Sequence, residues 1–383
     1  MAFALAGARI FDGASLAAGR VVVIDQGRIT AVLAETDIPA GVPVRRIEGL
    51  LAPGFIDIQV NGGGGILLND EPTVEGVRAI AEAHRRYGTT GLLPTLVTDT
   101  RERMAEAIAA VRGAIAAGVP GVLGIHLEGP YLNPIRKGVH DPALMRRIEE
   151  ADIALVTSLD RGVTLITIAP ELTTAETIRR IADAGVRIAA GHTAASYEEI
   201  EAARAAGLTG ITHLFNAMPP LMGREPGVLG AALDDPGLYP SLIVDLFHVS
   251  AASLRVALAA RGTERTILVT DAMSTVGSDI DHFMLGDRVI TRAAGRLTTA
   301  DGTLAGSDLD MASAVRNTVE ALGLPLEAAL HMASGAPAAF LGLDAELGRI
   351  APGYRASIVL LDDDLAVTDT WIDGVDTQGN GPA

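Results

Sequence analysis

Short apolar runs and longer amphipathic stretches alternate through the middle of the chain. The apolar runs are "GFIDIQV", "TGLLPTLV", "GVLGIHLEG", "GVTLITIAP", "GVRIAAGHT", "GITHLFN", "SLIVDLFHV" and "TILVTDAM", eight candidates for buried strands. Stretches such as "TVEGVRAIAEAHRRYG", "RERMAEAIAAVRGAIAAG" and "SYEEIEAARAAG" lie between them. Their apolar residues recur at three- and four-residue spacing and each ends in glycine, which is the mark of a helix with a left-handed C-terminus. Eight strands alternating with helices predict a (β/α)8 TIM-like barrel over residues 51–345, with an open doubly wound sheet as the structural competitor.

The two ends of the chain have another rhythm. "ARIFDG", "RVVVIDQGRITAV" with Gln26-Gly27 as a hairpin turn, and "VRRIEGLLAPG" read as short strands, as do "LGRIAPGYRASIVLLDDD" and "DTWIDGVDT". Neither end has enough strands to be stable alone. Residues 1–50 and 346–383 are therefore expected to form one small β-sandwich domain.

Composition narrows the function. With 383 residues and 49% hydrophobic content the chain can bury a large core, and with 3% aromatics that core is mostly aliphatic. A formal charge of −17 argues against nucleic acid as a partner, because such affinity comes from neutralised phosphates. There is no cysteine, which leaves histidine and carboxylate side chains as metal ligands. No apolar run reaches the ~18 residues of a membrane span and the first residues do not resemble a secretion signal, so a soluble, cytoplasmic protein is expected.

Polar residues sit where the barrel strands end, which is where barrels of this kind assemble their chemistry. Glu128 ends the third strand, His192 the fifth, His213 lies in the sixth, His248 ends the seventh and Asp271 the eighth. One such residue alone reads as a hydrogen-bonded strand end or a helix cap. Five converging on one rim read as a site, because ionisable groups in apolar strands are costly unless paired or bound to metal. Two imidazoles and a carboxylate suit Zn²⁺ or another borderline divalent ion, and Asp271 then remains to act on the activated water.

These residues sit in longer motifs. "PGFIDIQVNGGGG", "HLEGPYLNPIRKGVHD", "GHTAAS", "THLFNAMPPLMGREPGVLGAAL", "LVTDAMS" and "TLAGSDLDM" together resemble the N-acetylglucosamine-6-phosphate deacetylases of the amidohydrolase superfamily. The resemblance runs from about residue 50 to the end of the chain. It implies metal ligation by Glu128, His192 and His213, acid/base catalysis by Asp271, and polarisation of the acetamide carbonyl by His140, with Val139 beside it in the substrate site. It further implies a sugar contact at His248, phosphate held at Asn216 and Ala217, and Arg224 reaching the active site of the neighbouring subunit of a homodimer. Leu304, Ala305 and Gly306, in the loop that runs to Ser307, are expected to line the acetyl pocket. His126 and His282 match no role and read as structural. The implied reaction converts N-acetylglucosamine 6-phosphate to glucosamine 6-phosphate and acetate, in amino-sugar breakdown and cell-wall recycling.

A different cyclic-amide or dipeptide hydrolase of the superfamily would share the metal site without needing the "FNAMPP" and "GREPG" phosphate contacts. A non-catalytic relative would be expected to have lost ligands. In the first strand Gln59 and Asn61 stand where many relatives carry a His-x-His pair that binds a second metal. Neutral amides bind a borderline cation weakly. One divalent ion per chain is therefore expected, zinc by preference with Fe, Mn, Co or Cd as alternatives, and a vacant second position at Gln59 and Asn61. The effect of Met273 and Ser274 on specificity has no account in the sequence.

Overall fold

The computed structural model describes residues 2–377. Eight parallel strands pair in chain order: β1 (Phe55–Val60), β2 (Thr89–Val97), β3 (Gly124–Glu128), β4 (Val163–Ile168), β5 (Arg187–Ala190), β6 (Gly210–Ile211), β7 (Tyr239–Ile243) and β8 (Ile267–Val269). Every residue of β1 and β2 is buried, as expected of strands with side chains inside the barrel on one face and helices on the other. The ring closes between β8 and β1 through a bridge from Val60 to Ala272 and a bond from Asp271 N–H to the Gln59 carbonyl, 3.0 Å. The eight apolar runs of the sequence thus form the barrel.

The helices start where local chemistry sets them. Thr73 caps Val74–Arg85, Thr100 caps Arg101–Ala116, and Ser196 with Glu199 forms a capping box on Tyr197–Ala205. Gly118, at φ +68°, turns the chain out of the second of these helices.

Strands from both ends of the chain share one sheet. Leu50–Pro53 pairs with Arg9–Phe11 on one side and with Ile358–Leu361 on the other. A four-stranded sheet of Phe3–Ala6, Arg20–Asp25, Arg28–Ala34 and Val44–Arg46 faces it across a cluster that includes Leu5, Val22, Ile24, Ile10, Leu51, Ile358 and Trp371. The hairpin turn at Gln26 and Gly27 has φ of +48° and +76°, the conformation a two-residue turn needs to match strand twist. Residues 378–383 of the expected C-terminal segment lie outside the described residues.

The structure departs from the sequence reading in several places, and His192 and Asp271 lie two residues beyond β5 and β8 rather than at their ends. β6 is only two residues long, so His213 lies beyond it rather than within it. β7 stops at Ile243, which leaves His248 in the following loop instead of at the strand end. A three-stranded antiparallel unit, His282–Leu285, Arg288–Ala293 and Arg296–Thr298, follows β8. Its alternation of exposed and half-buried residues is too weak to predict strands unaided.

Candidate active site

The chain leaves the barrel strands in a shared manner. His192, His213 and Asp271 all follow their strands in left-handed backbone, at φ +49°, +32° and +54°. That conformation is costly for a residue with a Cβ, and it ends the ladder while turning the side chain toward the barrel axis. Three of the five rim residues are thereby aimed at one point.

The tightest group there is Glu128, His192 and His213. The Nε2 of His213 lies 2.9 Å from Glu128 Oε1 and 3.0 Å from His192 Nε2, and His192 Nε2 lies 3.3 Å from the same Glu128 oxygen. His192 Nδ1 is 2.9 Å from the Arg136 carbonyl, which can only accept, so Nδ1 carries the proton and Nε2 points inward bare. All three residues are buried. His213 Nδ1, also buried, has no hydrogen-bond partner. Glu128, His140 and His192 form a second possible ligand set, with ligand atoms within 4.8 Å of one another. The triangle completed by His213 is the more compact of the two. A carboxylate and two imidazoles converging this closely fit a borderline divalent cation, so the group is a buried Glu/His/His set able to hold a metal.

The electrostatics agree. Burial alone would raise the Glu128 carboxyl, but the His192 and His213 imidazoles beside it outweigh that and hold the group well below the usual carboxylate range. Burial would lower His213, and its bond to Glu128 outweighs that and raises it. A proton held there marks a place where a cation is favoured.

Gln59 and Asn61 face the same rim. Gln59 Nε2 donates to Glu128 Oε1 at 3.0 Å and to Asp271 Oδ1 at 3.2 Å, and Asn61 Nδ2 donates to the same Asp271 oxygen at 2.7 Å. Gln59 therefore ties the two carboxylates together, and Asn61 adds a second bond to Asp271. Burial, and then the Glu128 charge, push the Asp271 carboxyl up to about 6.

His140, in the loop after β3, is buried rather than exposed on the surface. Its Nδ1 is 2.8 Å from Thr98 Oγ1 and its ring centroid is 4.3 Å from that of His192. Burial, with the charge of His192 second, pushes its imidazole down to about 3. His248 Nδ1 donates to Asp245 Oδ2 at 2.6 Å. Burial would raise Asp245, but that bond outweighs it and leaves the carboxyl lowered.

A cavity of about 360 Å³ joins these groups. Asn61, Glu128, Val139, His140, His192, His213, Asn216, Ala217, His248, Asp271, Met273, Leu285, Leu304 and Gly306 line it. Ala305 does not: its side chain is buried in a small apolar cluster with Met273, Leu67, Ile290 and Leu297. Arg224 also lies away from the cavity, exposed on the loop before helix Gly227–Asp234 near exposed Leu221 and Met222. His126 is tied to the Ile58 carbonyl and to Thr167, and His282 is exposed beside Asp281.

The sequence pattern did not single out Asp57, Thr98, Glu171, Asp245 or Leu285. Asp57 is fully buried where β8 meets β1, accepting from Thr270 Oγ1 at 2.5 Å, and burial pushes it up to about 7. Glu171 accepts from Thr193, the Ala194 N–H and Asn133, which fixes the turn carrying His192. A charged residue inside an apolar run was the signal for Asp57. Thr98, Glu171 and Asp245 lie between the barrel strands and helices, where spacing carries no such signal, and Leu285 ends a strand whose alternation is too weak to read.

Comparison with known proteins fits this geometry. Residues 50–376 match the model of the amidohydrolase family. The chain is 46% identical over 86% of its length to the N-acetylgalactosamine-6-phosphate deacetylase of Shewanella sp. (strain ANA-3), covering 84% of that protein. The crystal structure of N-acetylglucosamine-6-phosphate deacetylase from Pasteurella multocida superposes with a TM-score of 0.94 at 33% identity, over 98% of this chain and 99% of that one. A mutant of the Mycobacterium smegmatis N-acetyl-D-glucosamine-6-phosphate deacetylase, solved in complex with N-acetyl-D-glucosamine-6-phosphate, gives 0.91 at 35% identity, over 98% and 99% of the two chains.

Proposed function

Because the chain belongs to the amidohydrolase family, we propose that it is a metal-dependent hydrolase that removes the N-acetyl group of N-acetyl-D-glucosamine 6-phosphate, releasing glucosamine 6-phosphate and acetate in amino-sugar metabolism. The observation that carries the reading is Asp271, held by two amides beside the Glu128, His192 and His213 triangle in one cavity.

Glu128, His192 and His213 would hold one divalent ion per chain, zinc by preference for this mixed oxygen and nitrogen set. When bound, the ion supplies Lewis acidity to the amide carbonyl and lowers the pKa of water. Asp271 accepts the proton of the attacking water on Oδ2, since Oδ1 is engaged by Gln59 and Asn61. It then returns that proton to the amine, a poor leaving group without it.

His140 donates to the amide oxygen from Nε2. This needs the tautomer in which Nδ1 accepts from the Thr98 hydroxyl, 2.8 Å away, and the imidazole proton sits on Nε2. Asp245 fixes the opposite tautomer in His248, whose Nε2 is left to accept from a sugar hydroxyl. Asn216 and Ala217 bind the phosphate, and Arg224 of the partner subunit in a homodimer completes its charge. A cytoplasmic location suits a substrate whose phosphate charge bars it from the lipid bilayer.

The galacto epimer is a second substrate reading. It is favoured by the names of two relatives, 46% and 39% identical, which are N-acetylgalactosamine-6-phosphate deacetylases. Acetate release from both epimers, each with and without phosphate, tests the reading together with metal analysis of the same protein. We expect turnover of phosphorylated substrate and one ion per chain. Arg224→Ala should weaken phosphorylated substrate by about 1.5 to 3 kcal/mol, the range of a hydrogen bond to a charged group, and leave the unphosphorylated sugar nearly unchanged. Equal losses on both would remove Arg224 from the phosphate site.

A further inference from the structure

A second cavity of about 610 Å³ lies next to the active-site cavity, and Val97, Val139, His140 and Leu285 line both. The partition between them is thus a single layer of side chains. Its parts come from three segments: Val97 from the end of β2, Val139 from the loop carrying His140, and Leu285 from the three-stranded unit after β8. Val139 and Leu285 are half-buried and pack against the small apolar cluster of Met273, Ala305 and their neighbours. Beyond the partition the lining is polar, with Asn69, Asp99, Arg103, Asp287 and Arg288.

We infer that Val139 and Leu285 set the length of the acyl group the enzyme accepts, closing the acyl end of the site behind an acetyl methyl. The inference rests on the deacetylase reading and deepens it. A carbonyl oxygen bonded to His140 places the attached acyl carbon beside the neighbours of His140, and the apolar side chains that separate this end from the outer compartment are Val97, Val139 and Leu285. A longer acyl chain would run into them. The space it needs exists immediately behind, so the limit comes from two side chains and not from the bulk of the barrel. Shortening either one joins the compartments and opens a path for three- and four-carbon acyl groups. Close packing makes such a wall selective, because an added methylene that has no space must displace atoms already in contact.

The test measures kcat/KM of wild type, Leu285→Ala, Val139→Ala and Asp287→Ala on the N-acetyl, N-propanoyl and N-butanoyl forms of one hexosamine 6-phosphate. In wild type the N-butanoyl form should be poor. The ratio of N-butanoyl to N-acetyl activity should rise about 10-fold or more in either wall variant, since one or two methylenes in an apolar pocket are worth that much discrimination. Asp287→Ala, which lines only the outer compartment, should leave the ratio unchanged. Leu285 and Val139 lie on different segments, so poor folding of one variant leaves the other to decide. A ratio that moves less than about 3-fold in a folded wall variant active on the N-acetyl form overturns the inference alone. Wild-type protein that releases no acetate overturns the deacetylase reading, and this one with it.

Discussion

The barrel rim carries two pairs of polar side chains that meet at one carboxylate, Glu128, with opposite chemistry. At β5 and β6, His192 and His213 bring imidazole Nε2 atoms to within 3.3 and 2.9 Å of Glu128 Oε1. At β1, Gln59 brings its NH₂ group to that same oxygen, and Gln59 and Asn61 bring theirs to Asp271. The His192 imidazole, with its other nitrogen tied to the Arg136 carbonyl, offers a lone pair, which attracts a cation. An amide turned this way offers hydrogens and does a cation's work itself. One carboxylate is left for a metal and the other for protons, although the two are joined through a single glutamine.

Breaking this division at Asp271 should have the largest effect. Asp271→Asn leaves Glu128, His192 and His213 in place and removes the group that takes and returns the proton. General acid/base catalysis contributes typically 10²- to 10⁴-fold, and one side chain here serves both half-steps, so kcat should fall by about 10³ or more. Metal content should stay at one ion per chain. A loss of tenfold or less with metal retained would assign the proton work to another residue.

The next effect concerns which side His140 belongs to. Its ligand atom is near enough to Glu128 and His192 to count with the metal set, whereas the proposed mechanism makes it a donor oriented by the Thr98 hydroxyl. Thr98→Val keeps the shape and removes the hydroxyl. If His140 donates to the carbonyl, kcat should drop about 10- to 10²-fold, less than the 10²- to 10³-fold cost of losing an oxyanion donor outright, because the donor stays and only its orientation is loosened. KM and metal content should hardly move, and Thr98→Ser should restore the rate. A change in metal stoichiometry would instead place His140 among the ligands.

Replacing both amides tests the comparison directly. Gln59→His with Asn61→His supplies two imidazoles from alternate positions of one strand, which point the same way. Protein reconstituted with excess Zn²⁺ and desalted should then hold close to two ions per chain, against one in wild type. A second ion tightly held by the wild type would end the argument from the amides.

The sequence made the scaffold legible because burial on both faces leaves continuous apolar runs, and β1 and β2 are buried throughout. The rim residues were legible as charged or polar exceptions within those runs. What lay in loops was not. His248 reads as the end of a strand because "SLIVDLFHV" is apolar up to it, but the chain leaves the sheet after Ile243, where Asp245 turns back to accept from the N–H groups of Phe247 and His248. Thr98 gains its importance from a hydrogen bond across 42 positions, and Leu285 from the cavity behind it. Neither contact leaves a periodic trace.

The smallest expected effect belongs to the third carboxylate on the β1 side, Asp57. Glu128 is held low by imidazoles and Asp271 is pushed up to about 6, whereas Asp57 is pushed up to about 7 by burial, with only Thr270 and backbone N–H groups to oppose it. Its ordinary value is 3.8, so between the two values the folded chain binds a proton that the unfolded chain has released. The stabilisation this gives is full below the ordinary value and is lost as pH rises through about 7. Asp57→Asn keeps an oxygen acceptor and a neutral group in both states, so its stability lacks this pH dependence, and its difference from wild type at about pH 5 serves as the reference. Between about pH 5 and pH 8 the wild type should lose stability relative to the variant by about 2 to 3 kcal/mol, at about 1.36 kcal/mol for each pH unit up to about 7, which is a relative shift of about 3 °C in a chain of this size. Melting curves at both pH values decide it. Parallel profiles for the two proteins would mean that Asp57 stays ionised when folded, and that the β1 side accommodates a third negative charge.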